Sequence, residues 1–277
     1  MKIYVVTDME AVAGVANSED WCLPDGINYF RGKELTTREV NAAVDGLFAG
    51  GATEVVVLDG HGRGGLNVES LDPRVKMIRG KGTEYPAGLD SSFDAITWVG
   101  QHAKAGTDYS HLTHSQSFGY LDFRLNGYSI GEFGQSCLCA MEMGVPAIFA
   151  AGEAALEAEA RGLVPEIHFA SVKRGLVPDA FDHLPQEEYR RAKAGAIHLS
   201  PERARQLIRV RSEGAIRAFR ERPDRFKVEP EFHAPYTLEA VHRGPAEGDP
   251  PRTKVVEGDT IQDTIRAMFG ILPPRAI

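Results

Sequence analysis

Apolar positions in this chain come in short bursts that end on polar residues or glycine, and the period within the bursts changes from one to the next. KIYVVT, residues 2–7, is a β-branched and aromatic run of strand length. LTTREVNAAVDGLFAGG, residues 35–51, places Val40, Ala43, Val44, Leu47 and Phe48 on one helical face and stops at Gly50-Gly51. EVVVLDG, residues 54–60, is a second strand run, so the order predicts a βαβ unit. VKMIRG and AITWVGQ supply further strands. YLDFRLNGYSIGE predicts a hairpin, because Asn126-Gly127 sits between two alternating runs and is the favoured two-residue turn. FGQSCLCAMEMGV then reads as a helix and PAIFAAG as a buried strand.

Beyond Gly152 the pattern loosens. EAALEAEARG is helical, IHFASVKRG strand-like, and PERARQLIRVRSEGAIRAFRER, residues 201–222, a long charged amphipathic helix with a solvated face. KVEPEFHA and TKVVEGD read as strands, and a helix around TIRAMFGIL closes the chain. The fold class expected is α/β: a mainly parallel sheet flanked by helices in residues 1–155, carrying the chemistry, and a C-terminal α+β portion over 156–277, the whole compatible with one compact domain.

Composition narrows the function classes. At 277 residues, 43% of them hydrophobic, the chain has ample material for a core. A net charge of -8 without any Lys/Arg-rich block argues against nucleic acid or an anionic membrane as the main partner, and favours small or cationic ligands. The N-terminus, MKIYVVTDME, runs from a short apolar stretch straight into acids, unlike a signal peptide, and no segment reads as membrane-spanning. Three cysteines make no disulfide framework, and the cytoplasm is the expected compartment.

Candidate chemistry lies where the strand runs end, which in open α/β sheets is where ligands bind. KIYVVT is followed by Asp8 and Glu10, EVVVL by Asp59 and His61, AITWVGQ by His102, and the loop behind carries His111 and His114. Asp8 and Glu10 point the same way in an extended chain and repel unless something positive lies between them. Each residue alone also fits a cap, a turn or a core histidine. Together they are the donor types that zinc or a similar divalent metal accepts. His168, His183, His198, His233 and His242 share no such context. Cys137 and Cys139 point about 200° apart on a helix and read as core. GHGRGG, residues 60–65, lacks both the dinucleotide order and a P-loop lysine.

At these positions the chain resembles the DppA-type zinc-dependent D-aminopeptidase family. The likeness is carried in order by D-x-E (Asp8, Glu10), D-x-H (Asp59, His61), G-x-H-A (Gly100 to Ala103), T-H-S (Thr113 to Ser115) and N-G-x-x-x-G-E (Asn126 to Glu132). The resemblance implies a zinc-dependent aminopeptidase with two zinc ions per chain, held by Asp8, Glu10, His61, His102 and Glu132, with His114 as the catalytic histidine. Asp8, at the strand end, is the choice for the bridging carboxylate. It further implies a ring-like homo-oligomer, a decamer, acting on short peptide substrates that contain D-amino acids. Ala11 departs from the glycine usual after the D-x-E pair. Two zinc ions about 3.5–4 Å apart activate a water and polarise the scissile carbonyl. The alternatives are a metal-dependent hydrolase of another bond, such as a phosphoester, against which the lack of an arginine clamp other than Arg63 counts, and a non-catalytic metal- or peptide-binding module.

Overall fold

A computed structural model describes residues 1–271. The βαβ start is present: β1 (Lys2–Thr7), then a short α1 (Ser18–Trp21), α2 (Tyr29–Gly50) and β2 (Glu54–Asp59). Helix α2 begins six residues before the first residue of the periodic run, because its opening turn is buried through Tyr29 and Gly32 rather than through a regular apolar stripe. It ends at Gly51, whose φ of +115° is the left-handed conformation that closes a helix. There follow β3 (Lys76–Arg79), β4 (Ala95–Gln101), the hairpin β5 (Tyr120–Leu125) and β6 (Tyr128–Ser129), α3 (Glu132–Glu142), β7 (Ala147–Glu153) and α4 (Ala154–Leu163). The remainder comprises β8 (His168–Gly175), α5 (Gln186–Ala192), β9 (Ala196–His198), α6 (Pro201–Glu221), β10 (Tyr236–His242), β11 (Arg252–Gly258) and α7 (Ile261–Phe269).

These strands form two sheets. The larger has the order β3-β2-β1-β4-β7-β8-β9, parallel except for β9, which runs antiparallel to β8. The smaller is antiparallel, with the order β11-β10-β5-β6. Both draw strands from either side of residue 155, since β8 and β9 extend the large sheet while the β5–β6 hairpin joins β10 and β11.

Period-two alternation along β1 sorts the core into two layers. Ile3 and Val5 face α2 and α6, while Tyr4 and Val6 face a second core shared by α3, α4, α7 and the small sheet. The charged helix α6 is solvated on one side and buried on the other through Ala204, Ile208, Ala215 and Ile216. It lies close against α2 because Gly46 leaves room for it: a Cβ there would stand 2.0 Å from Ser212 Oγ.

One expectation for the C-terminal half fails, and the closing helix forms where expected with an earlier start. KVEPEFHA is not a strand; Pro230 cannot donate to a ladder, and the strand that pairs with β5 is Tyr236–His242, after Pro235. Helix α7 starts three residues before TIRAMFGIL, capped by the Thr260 side chain, and Leu272, the last residue of that stretch, lies outside the described residues. No helix among the described residues is long and apolar enough to cross a membrane.

Candidate metal centre

The chain runs outward from β1 to β2 and β3 on one side, then returns to build β4, β7 and β8 on the other, so the order of the large sheet reverses between β1 and β4. Beyond the carboxyl ends of these two strands lies the crevice that doubly wound sheets use for ligands. Asp8 and Glu10 leave β1 there, His61 stands in the loop after β2, and His102 follows β4 directly. Glu132 arrives from the opposite wall as the first residue of α3, and His114 from the loop between β4 and β5.

The backbone at the crevice is tightly specified. Asp8 N–H donates to the Val99 carbonyl and Ala11 N–H to that of Gly100, which ties the Asp8–Glu10 turn to the end of β4. Gly100 has a φ of +79°, and a Cβ there would stand 2.1 Å from the Asp8 carbonyl oxygen. Ala11 is fully buried and does not have a positive φ, so its position needs no glycine.

The six side chains fall into two groups, Asp8–Glu10–His61 and His102–His114–Glu132, in each of which the ligand atoms lie within 4.8 Å of one another. Asp8 joins them. Its Oδ1 stands 3.0 Å from His61 Nδ1, and its Oδ2 stands 3.3 Å from His102 Nε2. Glu10 Oε2 lies 3.2 Å from His61 Nδ1, Glu132 Oε1 lies 3.7 Å from His102 Nε2, and His114 Nε2 lies 3.8 Å from the same Glu132 oxygen. Donors about 2.0–2.1 Å from a tetrahedral zinc are about 3.3 Å from one another. The observed spacings are of that order.

Three further observations fit a cation. Each histidine ties its remote nitrogen to a backbone carbonyl: His61 Nε2 to Cys22 at 2.8 Å, His102 Nδ1 to Ala103 at 2.8 Å and His114 Nδ1 to Leu112 at 2.9 Å. A carbonyl only accepts, so those nitrogens carry protons and the opposite ones face the crevice, as in histidines that bind metal. Glu10 Oε2 and His102 Nε2 are also buried without a hydrogen-bond partner. The third is electrostatic. Burial opposes the imidazolium of His61 and of His102, yet Glu10 and Asp8 beside the first, and Glu132 and Asp8 beside the second, hold both pKa values well above the ordinary histidine value. Burial likewise opposes the Asp8 carboxylate, and the contacts from His102 and His61 still bring its pKa far below the usual range. The cluster thus attracts positive charge at the points where a divalent cation would sit.

His114 differs. Burial, reinforced by neighbouring His102, pushes its pKa below the ordinary value, so it is neutral near pH 7 with its Nε2 lone pair toward Glu132. Its ring stacks between His102, at 4.1 Å between centroids, and Phe118, at 4.3 Å. His111, the other histidine of that loop, turns away and bonds the Ala16 and Ala194 carbonyls, each at 3.2 Å. Asp59, which shares its motif with His61, accepts the Gly65 N–H at 2.6 Å and shapes the loop. Cys137 and Cys139 are buried in α3, as a packing role requires. His198 accepts the Gly14 N–H at 3.1 Å, a structural role.

A layer of buried charge behind the cluster escapes sequence reasoning. Glu153, at the end of β7, accepts the Ala103 N–H at 2.8 Å and the His111 N–H at 2.5 Å. Glu159 does the same for Lys104 and Gly131, each at 2.9 Å. Lys173 of β8 donates to the Glu10 carbonyl, and Glu39 of α2 accepts the Ala13 N–H at 2.9 Å. Glu153 did carry a signal, since it directly follows the apolar run AIFAAG at the edge where ligands gather. Lys173 and Glu39 carry no such signal, since each is a single charge inside a strand or a helix.

An α/β sheet whose switch point gathers carboxylates and imidazoles around one crevice is the layout of a hydrolase that works with divalent cations. The chain belongs to the D-aminopeptidase family, peptidase family M55, whose pattern matches residues 1–271. It is accordingly a hydrolase, an aminopeptidase. It is 34% identical over 201 residues to the D-aminopeptidase of Bacillus subtilis (strain 168), covering 71% of this chain and 70% of that one. Its fold is similar to the structure described as the Zn-dependent D-aminopeptidase DppA from Bacillus subtilis, a self-compartmentalizing protease. The TM-score is 0.82 at 25% identity, over 98% of this chain and 96% of that one.

Proposed function

We propose that this aminopeptidase is zinc-dependent and removes the N-terminal residue from short peptides containing D-amino acids. The observation that carries the reading is the position of Asp8, with one oxygen toward His61 and the other toward His102. A carboxylate so placed would serve two cations at once. Glu10 and His61 would complete one set of ligands, and His102 and Glu132 the other. Two zinc ions held there would supply the activated water and the Lewis acid that peptide hydrolysis needs. The Zn-dependence of the Bacillus subtilis structure supports the choice of metal.

The residues of the chain do the rest. His114, neutral and with Nδ1–H fixed on the Leu112 carbonyl, has Nε2 free to accept a proton and deliver it to the leaving amine. A cation held at this end of the crevice would offer the free, unprotonated α-amino group of a peptide a ligand position. A cavity of about 380 Å³ opens beside Asp8 and Glu132, within the range for a small ligand. No arginine among the described residues lines it, which weighs against a phosphoester. A second reading of His114, as a ligand, is favoured by its place in the group with His102 and Glu132. Zinc content and turnover of His114→Ala separate the two: retained zinc with turnover lowered about a hundredfold to ten-thousandfold marks a proton carrier, and loss of zinc a ligand.

The same reading makes the protein a cytoplasmic homo-oligomer, ring-like and decameric by family resemblance, and the self-compartmentalizing relative supports assembly. We read the chain as one compact domain, because both sheets span residue 155. The test of the activity is release of D-alanine from D-alanyl-D-alanine and D-alanine p-nitroanilide, alongside a phosphodiester, with and without chelator. Cleavage of the phosphodiester alone contradicts the peptidase reading, and binding without turnover contradicts an enzyme.

A further inference from the structure

We propose that Gln101 is a positioning residue of the metal centre: its side-chain amide fixes the second oxygen of Asp8 toward His102, so that one carboxylate serves two cation positions instead of closing on one. This role rests on the two-cation reading above and adds to it a residue outside the ligand set.

The Asp8 carboxylate has two contacts on each oxygen. Oδ1 accepts the Met9 N–H at 2.9 Å and stands 3.0 Å from His61 Nδ1. Oδ2 accepts from Gln101 Nε2 at 3.2 Å and stands 3.3 Å from His102 Nε2. A carboxylate oxygen has two lone pairs, so on each oxygen one is met by a donor outside the ligand set and the other is left on the side of an imidazole. An ionised carboxylate only accepts, which places the nitrogen of the Gln101 amide, and not its oxygen, against Asp8. The aspartate torsion about Cβ–Cγ is broad, so contacts decide where the two oxygens point. Met9 N–H is a backbone group of the next residue and holds Oδ1 whatever side chains surround it. The direction of Oδ2 depends on Gln101.

The fold holds this amide in place. Gln101 is the last residue of β4, is 2% exposed and pairs with Gly152 of β7. Asp8 leaves the adjacent parallel strand β1, where Thr7 lies beside Val99, so the two side chains emerge at one edge of the sheet. Both line the cavity beside the metal centre. An amide also suits the position chemically. It donates without bringing a charge, so it orients Asp8 and leaves the whole negative charge to the cations, whereas a lysine or arginine there would neutralise the carboxylate itself. Hydrogen bonds of this kind to ligating carboxylates are what orient metal ligands and tune their affinity.

The test is zinc binding, measured by chelator competition on metal-stripped wild-type protein, Gln101→Met and Gln101→Asn. Methionine has nearly the length of glutamine without its donor, and asparagine keeps the amide but is one methylene shorter, so the second variant decides if the first does not fold. The expected result is that each folded variant weakens one of the two zinc equivalents about tenfold to a hundredfold and leaves the other within about threefold. Loss confined to one equivalent is what release of a bridging oxygen produces, whereas a merely structural role would weaken both alike. Two equivalents as tight as in the wild type, or both weakened equally, overturn the assignment of Gln101 and leave the two-cation reading intact. A wild-type protein that binds fewer than two equivalents overturns that reading, and the assignment with it.

Discussion

Replacing Glu153 by glutamine tests whether the buried carboxylates behind the crevice set its geometry. Glu153 accepts two backbone N–H groups, from Ala103 beside His102 and from His111 three residues before His114. It therefore clamps together the two loops whose histidines stack at 4.1 Å. Glutamine is nearly the same size but has one oxygen, so one N–H keeps its partner and the other meets an amide NH2. A buried donor left without an acceptor costs about 1–3 kcal/mol. Burial raises the Glu153 pKa, and relief from holding that charge offsets part of the loss. The net expectation is about 2 kcal/mol of stability, or about 3–4 °C in the unfolding midpoint for a chain of this size. Turnover should fall further than stability does, since a displacement of about 1 Å in a reacting group can cost about a hundredfold. Thermal unfolding and steady-state kinetics on the zinc-loaded variant measure both. An unchanged midpoint and unchanged kcat would refute the clamp, and a lowered midpoint with wild-type kcat would confine Glu153 to stability.

Three shorter predictions concern other residues. Asp8→Asn should lose more zinc than Glu10→Gln, because Asp8 faces both groups of donors and Glu10 only His61; elemental analysis of the purified variants decides it. Cys137→Ser and Cys139→Ser should keep turnover within a few-fold when folded and metal-replete, because burial pushes both thiols up and neither offers a thiolate; a loss beyond about a hundredfold would point to cysteine chemistry instead. Burial pushes the Glu39 pKa up to about 8, so the folded state keeps a proton that the unfolded state releases above its ordinary value of 4.5. Its contribution to stability is therefore full below that ordinary value and is lost as pH rises through about 8. Glu39→Gln keeps an acceptor for Ala13 N–H and should flatten the fall in stability between about pH 5 and 8, as measured by denaturant unfolding; a variant with the wild-type slope would contradict this.

Much of the architecture is legible in the sequence where local signals and tertiary demands agree. Buried parallel strands such as AITWVGQ leave continuous apolar runs, and Asn126-Gly127 marks a hairpin whose turn has positive φ at both residues. Asp8, Glu10, His61 and His102 are legible for the same reason, because each follows such a run, whereas Glu132, the first residue of α3, enters only through the family resemblance. Sequence reading loses its grip where pairing partners are remote. Strand β9 has three residues and exists only through β8, and the β5–β6 hairpin finds β10 across more than a hundred residues. Buried charge is the other blind spot. Glu39 sits one residue before Val40 in an amphipathic helix and resembles any solvated glutamate, and only the fold supplies the Ala13 N–H that it accepts. In the same way Phe118 has no chemical signature of its own, yet its ring covers His114.

The central claim is that activity depends on two zinc ions held around Asp8. The most direct measurement is a zinc titration of metal-stripped protein followed by hydrolysis of D-alanyl-D-alanine. Activity that is absent without zinc and reaches its full value at two equivalents per chain is the predicted result. Hydrolysis that persists after the metal is removed, or a protein that takes up no zinc, would contradict it.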